Sequence, residues 1–298
     1  MLSRLTEIIR SINPIIVDTG VGKTMNYSKK TSFTFSSLAL FLALALLVIP
    51  AAYKTSAQSE SSPPDKAQLL LKARQIYYVL QNQGMKSFQC TVQPDWAKFA
   101  KFMTQNGSSV DQAKIALITP VAFTAVVDEQ GNATATPFLA GGGKIDPAVN
   151  QMVGGAKQVI EGYFKSWGSV VFTGIFTPSD DESLTMVAQA DGIHFSQKTG
   201  EANVDLVLNR DSLLTSMKVS TASAIIVMNP KYSKTDKGLL MTSLNSDINN
   251  GTQKVNFDVQ YQTVEGFQLP GKVSYQVTFP TQAVSIEMSF SNYQIVKK

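Results

Sequence analysis

KVNFDVQYQTVEGFQLPGKVSYQVTFPTQAVSIEMSFSNYQIV, residues 254–296, is the stretch that decides the fold. Val255, Phe257, Val259 and Tyr261 alternate with polar residues, as do Val273, Tyr275, Val277 and Phe279, and then Val284, Ile286, Met288 and Phe290. Successive strand side chains point to opposite faces, so each run writes one apolar face and one wet face. Glu265-Gly266 supplies the positive φ of a tight turn, and Pro280-Thr281 interrupts the ladder. These residues predict a half-buried antiparallel meander. Something must cover its apolar face, because a slip of one residue would turn every apolar side chain to water.

Outward from the meander, most of the chain reads as strand: Ser87 to Gln93, Val121 to Val127, Leu184 to Ala190, Ile193 to Gln197, Val204 to Leu208, Met217 to Ser220, Ala224 to Met228 and Leu239 to Leu244. Asn229-Pro230 and Lys234 to Lys237 read as loops, and Asn249-Asn250-Gly251 as a turn. Four helical stretches interrupt this pattern. Ser62-Pro63-Pro64-Asp65 predicts a helix start, followed by a stripe of Leu69, Leu70, Ala73, Ile76, Tyr77 and Leu80 up to Gly84. Pro94-Asp95 opens a shorter helix with Trp96, Phe99, Phe102 and Met103 on one face, stopped by Asn106-Gly107; Ser109 with Gln112 can cap a further short piece. After Gly141-Gly142-Gly143, Asp146-Pro147 starts the longest helix, whose stripe includes Met152, Val153, Val159, Ile160, Tyr163, Phe164 and Trp167, with Gly168 at its end. Gly154, Gly155 and Gly162 inside it each cost about 1 kcal/mol against alanine, so packing must hold this helix.

The N-terminal region has a different character. Leu38 to Ile49 is an unbroken apolar run of 12 residues behind Lys29 and Lys30, shorter than the roughly 20 a membrane span needs. With Thr55-Ser56-Ala57 after it, the run predicts a signal peptide over 1–57 cleaved after Ala57, with Met25 as the true initiator; an uncleaved N-terminal anchor in the inner membrane is the alternative. Residues 58–62 form a polar tether, and 63–298 one domain with a helical insertion around 94–167. Gly20-Val21-Gly22-Lys23-Thr24 ends like a phosphate-binding loop, but Val17 stands where the motif needs glycine.

Charge and chemistry-bearing residues narrow the function. Six of the 26 basic and two of the 22 acidic residues fall in the first 57, which leaves 20 of each. A formally neutral remainder gives no electrostatic case for nucleic acid. Cys90 is the single cysteine and His194 the single histidine. A hydrolase triad lacks its nucleophile motif, a zinc site lacks ligands, and Asp180-Asp181-Glu182 reads as a solvated turn. We therefore expect no enzyme, no metal and no cofactor.

The order of a leader, an amphipathic helix, scattered strands with a helical insertion and a terminal meander carrying Val264-Glu265-Gly266-Phe267-Gln268-Leu269-Pro270 resembles the LolA-like outer-membrane lipoprotein carriers. The resemblance covers most of 63–298. It implies an α+β fold in which a strongly curved antiparallel sheet forms an incomplete, half-open β-barrel, with amphipathic helices as a lid over its concave apolar face. It also implies a periplasmic carrier of lipid or lipoprotein acyl chains, working between envelope donor and acceptor proteins and touching membranes only peripherally. The basic residue that holds such a lid has no assignable counterpart; Arg74 matches by location alone. Candidate cavity and lid residues are Leu69, Ile76 and Tyr77 on the first helix and Met152, Ile160, Phe164 and Trp167 on the longest. The meander adds Phe257, Val259, Tyr275, Val277, Ile286, Met288 and Phe290. The competing reading is an envelope scaffold or interaction protein with a solidly packed interior.

Overall fold

A computed structural model describes residues 65–103, 111–176, 182–279 and 282–298. The signal peptide, tether and phosphate-loop expectations, together with Asn106-Gly107, Ser109, Asp180-Asp181 and Pro280-Thr281, lie outside them. No helix among the described residues is long and apolar enough to cross a membrane.

The fold is α+β, built on one twelve-stranded antiparallel sheet. In chain order the strands are β1 (Met85–Pro94), β2 (Val121–Val127), β3 (Ala133–Leu139), β4 (Thr185–Gln189), β5 (Gly192–Thr199), β6 (Ala202–Leu208), β7 (Leu214–Ser220), β8 (Ile225–Thr235), β9 (Gly238–Ile248), β10 (Gln253–Val264), β11 (Phe267–Phe279) and β12 (Gln282–Lys297). In space they run β3-β2-β1-β12-β11-β10-β9-β8-β7-β6-β5-β4. Every neighbour is a neighbour in sequence except at one seam, where β1 meets β12.

The helices are α1 (Lys66–Ile76), α2 (Trp96–Met103), α3 (Gln112–Ile118) and α4 (Asn150–Val171), the last preceded by a 3-10 turn over Pro147–Val149. The Asp65 carboxylate accepts from the Ala67 N–H, and that of Asp146 from the Ala148 N–H. Each satisfies an amide that the helix cannot.

The predicted antiparallel meander forms. Phe257 lies opposite Tyr275, and Tyr275 opposite Ile286, so the apolar residues share one face. Glu265 and Gly266, at φ 51° and 86°, make the predicted tight turn.

Four expectations are corrected. The sheet is open and not strongly curled, where the resemblance implied a half-barrel: β3 and β4 end it without meeting. Closure is not needed to bury the apolar face, because α4 packs against β2, β3 and β9 while α1 packs on β9. Secondly, α1 ends at Ile76 and not near Gly84, although Leu80 fits its stripe. Tertiary backbone bonds win there: the Tyr78 N–H donates to the Leu239 carbonyl at 2.9 Å and the Leu80 N–H to the Val171 carbonyl at 2.8 Å. Thirdly, α4 runs through Gly168 to Val171, since Phe172 closes it by donating to the Gly168 carbonyl.

Finally, Asn229-Pro230 lies within β8. Pro230 pairs with Leu244 of β9, while β7 accompanies β8 only as far as Met228. The proline thus sits where β8 lacks a neighbour on one side, and its missing N–H costs no ladder bond. Within residues 94–167, β2 stands where the alternation of Val121 to Val127 predicts a strand.

Candidate functional site

Three helices share the apolar face: α2 lies against β12 with Trp96 beside Phe123 of β2, α4 lies against β2, β3 and β9, and α1 lies on β9. Over β8 and β9, Tyr77 marks the end of α1: its hydroxyl accepts from the Leu214 N–H at 2.6 Å, and its ring lies 5.2 Å from that of Tyr232. Burial raises the Tyr77 hydroxyl to a pKa of about 12, against the opposing effect of the Leu214 N–H. Tyr77 and Leu239 form a parallel bridge, a close approach that Gly238 permits. At φ +124°, a Cβ on Gly238 would lie 2.9 Å from the Tyr77 carbonyl carbon.

By contrast, α4 is buried nearly all round in its C-terminal half, where only Lys165 between Gly162 and Val171 keeps partial exposure. A helix enclosed in this way is held by its neighbours. Phe164 meets Phe88 and Phe290 edge-on at 5.8 and 5.6 Å, and Trp167 meets Phe88 at 6.3 Å. The Trp167 indole N–H donates to the Tyr261 hydroxyl at 2.9 Å, which donates to the Met241 carbonyl at 2.5 Å.

Beside this aromatic contact is a gap. Val159, Gly162 and Ser166, spaced three and four apart along α4, line an apolar cavity of about 50 Å³ whose floor comes from β8 to β12. Met228, Leu244 and Val255 form one part of that floor, and Phe257, Tyr275, Val277 and Ile286 another. A Cβ on Gly162 would meet nothing within 4 Å, so the missing side chain of that glycine is part of the empty space. None of the lining residues carries a charge. Burial raises the pKa of the Tyr275 hydroxyl, keeping it neutral. Next to the lining, Tyr163 packs on Phe257 and Tyr275 at 5.6 and 6.2 Å. Its hydroxyl has no hydrogen-bond partner among the described residues.

Of the candidate residues, Phe257, Tyr275, Val277 and Ile286 line this cavity. Ile160, Phe164 and Trp167 are buried in the core, as are Val259, Met288 and Phe290. Met152 is partly buried against the same core. Leu69 and Ile76 are partly buried and Tyr77 fully, all belonging to the α1 side. Sequence reasoning singled out the largest apolar residues and so missed Gly162 and Ser166. Their signal is a small-residue stripe opposite the bulky one.

Other chemistry-bearing groups stand apart. Cys90 is buried, which pushes its thiol up to a pKa of about 12. His194 contacts the Asp191 carboxylate at 2.9 Å in an exposed hairpin. Among the described residues no group of three or more His, Cys, Asp or Glu could hold a metal ion.

No protein-family model matches the chain, and no curated protein does. The crystal structure of MucB in complex with MucA(peri) aligns over 79% of this chain and 100% of that chain, at 10% identity and a TM-score of 0.16. So weak a likeness carries no argument about this chain.

Proposed function

We propose that the chain is an extracytoplasmic carrier of the LolA-like kind, which holds lipid or lipoprotein acyl chains between α4 and the sheet and performs no chemistry. One observation carries this reading: the uncharged apolar cavity under α4, bordered by Gly162. Its volume of about 50 Å³ is far below the roughly 300–1,000 Å³ of ordinary ligand pockets. Loading therefore requires α4 to lift. About ten buried methylenes contribute roughly 8 kcal/mol, which can offset that displacement. Gly141, Gly142 and Gly143, all at positive φ, precede the helix and give it a pivot. Residues 1–57 act in this reading as the export signal, or as an inner-membrane anchor if retained. Envelope proteins serve as donor and acceptor, and nucleic acid is no partner.

The test is native mass spectrometry of protein from the envelope fraction, together with binding of a fluorescent fatty acyl probe. Bound lipid and saturable probe binding, displaced by unlabelled acyl chains, are expected. Absence of both would sink the proposal. The small size of the cavity favours the second reading, a scaffold with a packed interior, which predicts no probe binding at any concentration.

A further inference from the structure

The two edges of the sheet differ in a way that the carrier reading does not use. At the β3 edge, Pro137 has no N–H to offer, and the Ala135 N–H donates to the Glu161 carboxylate of α4 at 2.9 Å. That edge is sealed. At the other end, β4 reads TMVAQ, without proline or charge, and all its residues but Met186 are exposed. Val187 keeps 48% of its surface. Alternate residues of an antiparallel strand turn their N–H and C=O groups away from the neighbour, and β4 pairs only with β5. Among the described residues no hydrogen bond reaches β4 from its outer side.

We propose that β4 is the docking edge for a second copy of this chain, pairing antiparallel about Val187. A two-fold axis there sets Val187 against Val187, and Met186 of each copy opposite Ala188 of the other. Inner faces then continue into inner faces, with Met186, partly buried against the core, covered on its open side. No charged residue lies within the five paired positions. At each end Asp191, in the β4–β5 turn, comes opposite Ser183 of the second copy. The neighbouring Leu184 carbonyl holds the Lys66 ammonium at 2.6 Å, so a cation approaches Asp191 at both ends and offsets Glu182, which precedes Ser183. Because the β3 edge is sealed, pairing through β4 closes at two copies and does not propagate. A five-residue seam is short, so the dimer forms in a concentration-dependent equilibrium.

Disulfide trapping in the full chain, kept in detergent, tests the register. Directly opposed residues fall within the Cα separation that a disulfide spans, and buried Cys90 does not compete. Val187→Cys is expected to give a covalent dimer under mild oxidation. Gln189→Cys, two residues from the axis on each copy and so four positions from its own counterpart, and Val126→Cys, exposed elsewhere, are expected to stay monomeric. Light scattering should show the dimer in the parent protein and its loss in Val187→Lys. Equal trapping of all three cysteine variants, no trapping at 187, or an unchanged mass for Val187→Lys would each overturn the proposal.

Discussion

The Trp167 indole N–H lies 2.9 Å from the Tyr261 hydroxyl, which in turn donates to the Met241 carbonyl. A side chain of α4 is thereby tied through β10 to the backbone of β9. Tyr261→Phe removes the shared hydroxyl and strands both an indole N–H and a carbonyl. A loss of about 1–3 kcal/mol is expected, read as a lowered urea midpoint. Hydrogen exchange along α4 should rise more than exchange along β5 and β6 if the tie is local.

Gly162 separates stability from binding. Its Cβ position is open, so Gly162→Ala should stabilise the protein by up to about 1 kcal/mol through helix propensity. Gly162→Leu places a larger apolar side chain in the cavity and is expected to abolish acyl-probe binding while the protein stays folded. Retained probe binding in that variant would place the acyl site elsewhere.

Gly238 is the opposite case. Gly238→Ala must accept φ +124° and a Cβ 2.9 Å from the Tyr77 backbone, so α1 and β9 have to part. A loss of more than about 1 kcal/mol is expected, with enhanced proteolysis around Tyr77 as the second readout.

Alkaline pH should weaken the fold in a defined window. Burial raises Cys90 from 9.0 and Tyr77 from 10.0, both to about 12. The unfolded chain loses these protons first, so the stability they contribute is complete below about pH 9 and declines as pH rises toward 12. Each group adds a slope of up to about 1.4 kcal/mol per pH unit within its own interval. Urea midpoints from pH 8 to 11 should fall less steeply in Cys90→Ala than in the parent.

Glu287 takes part in a surface cluster, with its carboxylate 2.7 Å from the Lys272 ammonium and 2.5 Å from that of Lys98. These partners hold its pKa below the ordinary value, so its contribution is present at neutral pH and is lost on acidification through the lowered pKa. The site is largely solvated, and Glu287→Gln should cost less than about 1 kcal/mol at neutral pH, less still in high salt.

What was legible in the sequence follows from what periodicity can encode. Alternation from Val255 to Phe290 specified β10 to β12 and their shared face, because strand side chains have a period of two whatever their neighbours do. It says nothing about closure, so an open sheet and a half-barrel read alike. Helical spacing carried α1 too far, since nothing local shows that Tyr78 and Leu80 find backbone partners on β9 and α4. Pro230 read as a loop because a one-sided strand pairing is invisible before topology is known. The cavity was missed on its helix side for a simpler reason: space is left by what Gly162 lacks, and apolar patterns record only what is present.

The seam between β1 and β12 has a consequence for how the molecule can be made. Gln89 faces Gln294 across it, joined by a side-chain bond of 2.8 Å spanning 205 positions. Contacts so distant in sequence cannot form during synthesis until residues 282–297 have left the ribosome. Before then β1 to β3 are one unfinished fragment and β4 to β11 another, and α4 has no complete bed. The last strand made is thus the one that joins the two halves, and the sheet is completed only once synthesis has ended.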